Sequence, residues 1–446
     1  MQKARYIGKT AIFLLILMIS VSLVQGVFSV GKGQVHSREV EFSTEKPGSL
    51  DAVYIGSSHV HRNFIPSVAW EDYGITVFDL SHNWMPHTAL KYRIIDARKT
   101  QPDALYIINL NAYRKTVDTV EALHYNLDYM PFSLNKLKMT AEMCRMADIS
   151  GLDALEFYLP VIRFHERWSD LETEDFIPPN YGYKGAYYSN EFMTAVFDNT
   201  KNHLIYNDED QLSDGRRDSL EDLLDYCDQN NVKALFVTVP MFFVSSEYSA
   251  ILQAEEIVKE HGYDTLNLID PKDVGIVSSI DFMDTGHFNI HGAIKYTDYL
   301  SRYLIDHYGF EDKRGQKEYA SWDESIEEYN EKLLHYILPF EREHLARDYD
   351  LMIPDLSGIK IEDHNIVFSW SVTDSAEAYE IYRKTDSMEK MNWEYLDTVS
   401  AATTKYTDKD LESGVTYTYT VVPVRRASGQ IIYGNFDYRG ISIVFE

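Results

Sequence analysis

The sequence predicts a three-layer α/β sandwich with a parallel sheet, followed by a smaller all-β sandwich. Short, fully apolar runs alternate with amphipathic helical patterns over about residues 51–350. After residue 354 the helical periodicity vanishes and short alternating runs take over. With 446 residues, and roughly 100–200 residues per domain, two to four folded units are expected.

The elements follow in order. Lys3, Arg5 and Lys9 precede residues 11–30, a run without a charged side chain. A run of that length just spans a hydrocarbon core of about 30 Å at about 1.5 Å per residue. The basic residues on its N-terminal side predict a cytoplasmic N-terminus and an exported body. Residues 1–30 are therefore expected to be a single-pass membrane anchor with the rest of the chain outside the cell. A signal peptide cleaved near Val24-Gln25-Gly26 is the rival, giving a secreted protein. Residues 31–50 are polar and read as a spacer.

Within 51–350, strands are expected at 51–55, 75–80, 104–110, 232–239 and, more weakly, 265–269. Helices are expected at 87–99, 217–229 and 247–261, the second with Leu220, Leu223, Leu224 and Cys227 on one face. Short apolar strands between helices indicate a parallel sheet buried on both faces. Residues of about 115–210 interrupt the alternation and are rich in aromatic side chains. Such an insertion is expected to cap the carboxyl edge, where open α/β sheets bind ligands. Residues 318–338 read as a closing helix stopped by Pro339.

The charge excludes one class of function. Forty-two basic against 70 acidic side chains give a net −28, which would repel a nucleic-acid backbone. Cys144 and Cys227 are too few for a disulfide scaffold or a cysteine zinc site.

Two stretches carry chemistry. Tyr54-Ile55-Gly56-Ser57-Ser58-His59-Val60 runs from a strand into a glycine and then serine. That order lifts a hydroxyl above the sheet edge, beside free backbone N–H groups. Asp284-Thr285-Gly286-His287-Phe288-Asn289-Ile290-His291-Gly292 supplies a carboxylate three residues before a histidine, which can fix that imidazole's tautomer. Together they provide the parts of a serine, histidine and aspartate triad. Each alone is weak, because a Gly-Ser-Ser after a strand is usually a turn or helix cap. Their joint placement, after the first and the last strand of one sheet, raises their weight. A zinc site from His59, His61, Asp284, His287 and His291 is the alternative use of these residues, and neither metal nor cofactor is expected.

The arrangement resembles the SGNH (GDSL-like) hydrolase superfamily over about residues 51–308. It is similar to exported bacterial members with a G-S-S signature, including relatives of the teichoic-acid D-alanylation protein. The resemblance implies a flavodoxin-like sheet and places Ser58 as nucleophile, Ser57 at the family's Asp position, His287 as base and Asp284 as its orienter. It also implies oxyanion donors: the N–H of Ser58, a glycine N–H after the second strand, and an asparagine after the third. This chain has no such glycine; an N–H from Asn83 or Trp84 is the substitute. Asn109 and Asn111 both follow the third strand, with Asn111 preferred as nearer its carboxyl end. His59, His165, Arg167 and Asn289 are further cleft candidates, His165 being more readily structural.

Residues 354–446 resemble a fibronectin type III domain. Trp370, Tyr379 and Tyr382 fall at its strand B and C aromatics, and the segment Leu411-Glu412-Ser413-Gly414-Val415-Thr416-Tyr417 resembles its loop before strand F. The module is expected to be a spacer or to face carbohydrate. The expected function is an exported serine esterase removing acyl groups, such as acetyl, from cell-envelope or extracellular glycans. An O-acyltransferase with the same triad, with a membrane-bound acyltransferase as candidate partner, is one rival. A non-catalytic binding or assembly protein on the same fold is the other.

Overall fold

A computed structural model describes residues 2–29, 34–177, 182–187, 206–207, 211–276, 281–329, 351–385, 393–427, 430–434, 436–437 and 440–446. Five short strands form one sheet: β1 (Ala52–Ile55), β2 (Val77–Asp79), β3 (Leu105–Asn109), β4 (Ala234–Thr238) and β5 (Asp264–Asn267). Their order is β2-β1-β3-β4-β5, and every neighbouring pair is parallel.

The apolar character of β1, β3 and β4 follows from burial on both faces. Val53, Ile55, Tyr106, Ile108 and Phe236 belong to one core cluster. The residues between them, Ala52, Tyr54, Leu105, Ile107, Leu235 and Val237, belong to a second. Because side chains alternate along a strand, these clusters lie on opposite faces of the sheet. The first cluster takes in apolar residues of helices His87–Ala97, Asp214–Gln229 and Ser245–Glu260; the second takes in those of Ile290–Tyr308. β5, at one edge of the sheet, is only partly buried, which accords with its weak sequence signal.

One expectation needs correction, and two others lie partly outside the described residues. The polar stretch at 31–50 is not an open spacer: Gln34–Thr44 is a helix packed on the α/β domain. Its charges are buried against partners. Arg38 donates to the carbonyls of Ser81 and Gly185, Glu39 pairs with Arg93 and His82, and Glu45, just beyond, meets Lys184. A run of buried ion pairs has the composition of a solvated linker, so polarity alone misled. The insertion at about 115–210 is described in part. Its helices Val120–Leu127 and Leu134–Met146 join the core on one face; residues 178–181, 188–205 and 208–210 lie outside the described residues. The closing helix is described as Ala320–Tyr329, and 330–350 lie outside.

The charge-free N-terminal run is helical, within Gln2–Ser29. Several of its side chains lie outside the described residues, and among the described residues no helix is long and apolar enough to cross a membrane.

The C-terminal part is an antiparallel β-sandwich. Strands β6 (Leu356–Glu362), β7 (Asn365–Trp370) and β10 (Lys405–Asp408) form one sheet, in the order β10-β7-β6. Strands β8 (Ala378–Thr385), β9 (Glu394–Ser400), β11 (Thr416–Ala427), β12 (Gln430–Tyr433) and β13 (Ile441–Val444) form the other. Between the sheets lie Ile366, Phe368, Trp370, Tyr379, Ile381, Tyr419 and Val421. Tyr417 accepts a hydrogen bond from the Glu412 N–H at 2.9 Å, tying the start of β11 to the loop before it. The sandwich is not held away from the α/β domain. Tyr382, Trp393, Val422, Val424, Tyr433 and Phe436 belong to the same buried cluster as Phe282, Phe288 and the helix Ile290–Tyr308.

Candidate functional site

β1 delivers Ser58 through Gly56. A Cβ on Gly56 would stand 2.5 Å from the Asn109 Cβ and 2.7 Å from Val60 Cγ2, so only glycine lets the chain turn there. Ser57 is extended (φ −92°, ψ −165°), and Ser58 opens the short helix Ser58–His61. Between β5 and the helix Ile290–Tyr308, the loop at 281–289 folds back on itself. The Met283 N–H bonds the His287 carbonyl, and the Asn289 N–H the Asp281 carbonyl.

The two segments meet. Ser58 Oγ lies 2.7 Å from His287 Nε2. His287 Nδ1 lies 2.8 Å from Asp284 Oδ2 and 3.0 Å from Oδ1. The same carboxylate accepts the N–H groups of Gly286 and His287, at 2.7 and 2.9 Å. Burial opposes the charge of Asp284, but the bond to His287, its charge and these two N–H groups hold the carboxyl below its usual range. A carboxylate so held keeps a proton on Nδ1 and leaves Nε2 free to accept one from Ser58.

A second imidazole backs the first. His59 stacks on His287, with ring centres 5.2 Å apart and planes 22° from parallel. Ser57 Oγ lies 2.7 Å from its Nδ1. Burial, then the charges of Arg114, His287 and Lys115, push the His59 pKa well below the usual value, so it stays neutral at neutral pH. His61 points elsewhere, with Nδ1 2.9 Å from Ser81 Oγ. Among the described residues no group of His, Cys, Asp and Glu is placed to hold a metal ion, and the His291 side chain lies outside them.

These groups open on a cleft of about 620 Å³ that Trp84, Asn111, Arg114, Lys115 and Met241 help to wall. A larger hollow of about 740 Å³ beside Lys91 and Tyr92 contains no paired nucleophile and base. Trp84 holds its backbone in the left-handed region, at φ 48°. A bulky residue there costs on the order of 1–3 kcal/mol and marks a loop constrained by its surroundings. Its conformation is the one glycine adopts freely, at a position where the sequence offered none.

Several candidates sit otherwise than expected. Asn111 lines the cleft and is tied to the end of β4: Nδ2 donates one of its two N–H groups to the Val239 carbonyl at 3.0 Å, and Oδ1 accepts the Val239 N–H at 2.9 Å. Asn109 is fully buried behind Gly56. Asn289 is fully buried as well and caps the following helix, its Oδ1 accepting the Gly292 N–H. His165 and Arg167 are not in the cleft. His165 bonds the Ile162 carbonyl, and Arg167 bonds the Phe28 carbonyl and Asp175. The cleft-wall residues Arg114, Lys115 and Met241 were missed. They follow the carboxyl ends of β3 and β4, a position that itself could have singled them out.

No family profile and no curated protein sequence matches the chain. Among solved structures, a pectate lyase PelI from Erwinia chrysanthemi, crystallised with tetragalacturonic acid, aligns at 23% identity and TM-score 0.16. That alignment covers 19% of this chain and 27% of the lyase, so the chain spans about a quarter of that protein's length. A protein described as FN3tt mut aligns at 22% identity over 21% of this chain and 98% of its own, with TM-score 0.16. An Fn3-like protein from Clostridium thermocellum aligns at 19% identity over 19% of this chain and 90% of its own, with TM-score 0.15.

Proposed function

We propose that the chain is an exported serine hydrolase of the SGNH type, acting on an acyl ester. The observation that carries this reading is the continuous chain of contacts from Ser58 Oγ through His287 to Asp284. Ser58 attacks the ester carbonyl while His287 Nε2 takes its proton. The resulting imidazolium is stabilised by Asp284 and by the neutral face of His59. His287 then returns the proton to the leaving alcohol, the C–O bond breaks, and an acyl-serine remains. Water, deprotonated by His287, releases the acid and restores Ser58.

The Ser58 and Trp84 N–H groups are the oxyanion donors in this reading, with Asn111 holding the cleft wall to β4. The β2-β1-β3-β4-β5 order is the flavodoxin-like one. The Tyr417 contact fits the tyrosine corner of a fibronectin type III-like sandwich. The charge-free N-terminal helix is taken as the membrane anchor, and an acylated envelope or extracellular glycan as the substrate.

Fluorophosphonate labelling tests the reading. The wild type is expected to label at Ser58; Ser58→Ala and His287→Ala are expected to lose labelling by at least about 10⁴-fold. Labelling that persists in Ser58→Ala rules out the nucleophile, and a wild type that does not label rules out the hydrolase. Product analysis with water and with glycan acceptors separates hydrolysis from acyl transfer.

A further inference from the structure

The loop that carries Asp284 and His287 has two sides. Towards β1 it is held by Asn63, whose Oδ1 accepts the Phe288 N–H at 2.9 Å. Phe282 and Phe288 face each other edge to face at 4.8 Å, and Phe288 continues onto Tyr296. Both phenyl rings are buried, in a cluster that takes in Val60, Phe64 and the helix Ile290–Tyr308 from the α/β domain and Trp393, Val422 and Phe436 from the C-terminal sandwich.

The polar groups tell the same story. At the start of the loop, Asp281 is fully buried and paired with the buried Lys295 at 2.7 Å. Lys384, on β8 of the sandwich, is 1% exposed and lies over the Trp393 ring at 4.9 Å. Its Nζ has no hydrogen-bond partner among the described residues. Burial depresses its pKa, while the charge of Asp281 raises it and that of Lys295 lowers it.

We propose that the C-terminal sandwich is a positioning element of the candidate active site: it completes the core beneath the loop at 281–289 and thereby sets where His287 meets Ser58. A module serving only as spacer or glycan-binding arm has no need to bury its own aromatic residues against that loop. Within the loop, Met283, Gly286, His287, Phe288 and Asn289 each donate one N–H, Thr285 accepts the Phe242 N–H and Asp281 pairs with Lys295, and part of its apolar packing is in the cluster that the sandwich shares.

Neighbouring residues of β11 provide the test. Val422 points into the cluster shared with the loop, whereas Val421 points into the sandwich's own core, and both are fully buried. In the full-length chain, amide hydrogen exchange over 281–289 is compared for wild type, Val422→Ala and Val421→Ala. Both substitutions remove the same two methyl groups. Val422→Ala is expected to speed exchange of the five bonded amides at least about fivefold, with Val421→Ala leaving them unchanged. Trp393→Ala should enlarge the effect, and Trp393→Phe should restore most of it. Equal loop exchange in the two valine variants, or an unchanged loop in a folded Trp393→Ala chain, overturns the proposal.

A labelling arm rests on the triad reading and asks whether fluorophosphonate reactivity at Ser58 falls with loop order. Exchange does not depend on catalysis, so a chain that fails to label refutes the hydrolase while the exchange result still decides the sandwich's role.

Discussion

Ser58 and His287 are 229 residues apart in sequence, and their 2.7 Å contact is the most consequential in the molecule. Asp284 is where its chemistry is most exposed to a single substitution. Asp284→Asn keeps the shape but loses the charge that holds the Nδ1 proton, and labelling is expected to fall by about 10³–10⁴-fold at neutral pH. A labelling rate within a few-fold of wild type would show that the carboxylate only shapes the loop. Away from the site, Asp79 at the end of β2 is fully buried, and burial raises its carboxyl to about 7 against the opposing charge of Arg38 and the bond from Ser81. Between its ordinary 3.8 and about 7 the folded chain keeps a proton that the unfolded chain has lost. This group's contribution to stability is therefore greatest at low pH and declines as pH rises through that window. Relative to wild type, Asp79→Asn should gain stability from about pH 4 to about pH 7, read as diverging urea midpoints; parallel midpoints would refute the assignment.

Elements place these residues, and Asn111 illustrates how. Both Asn109 and Asn111 lie on one side of an extended chain, and only nearness to the strand's carboxyl end favours Asn111 from the sequence. In the structure β3 ends at Asn109, and a 3₁₀ turn, Leu110–Tyr113, swings Asn111 across to the backbone of Val239. Asn111→Ala is thus expected to cost about 1–3 kcal/mol of stability, with both bonds to Val239 lost. As an oxyanion donor it would instead cost about a hundredfold or more in labelling with little change in stability. Denaturant melts and labelling rates on the same variant separate the two. The strands and helices themselves were legible, because an apolar run buried on both faces has few alternative conformations. The helix Gln34–Thr44 was not, because its burial is achieved by Arg38, Glu39 and Glu41 with partners distant in sequence. Polarity patterns report the solvent-facing case by default.

For the whole molecule, charge and the N-terminal run set the expectations. With a net −28, and three basic residues ahead of the charge-free run, the body of the chain is more acidic still. So acidic a body disfavours attraction to anionic lipid, and under the proposed reading any membrane retention falls to the N-terminal helix. The full chain is expected to stay with membranes through high salt and to be released by detergent, and a chain lacking residues 2–30 to be soluble. Release of the full chain by salt alone would overturn the anchor. The same acidity confines recognition of a polyanionic substrate to the cleft, where Arg114 and Lys115 stand beside Asp118 and Asp284.

The sequence by itself determined the order of strands and helices along the chain, the change to β-structure after residue 354, and the two segments that meet at Ser58 and His287. These are local properties, written in periodicity, in a glycine with no room for a side chain, and in a carboxylate three residues from a histidine. Only the tertiary structure decided that Asn111 is tied to Val239, that Trp84 adopts a glycine-like backbone, that His59 backs His287, and that the sandwich shares a buried cluster with the His287 loop. Each depends on a partner brought near by folding, and a buried contact between distant segments leaves no periodic trace in either one.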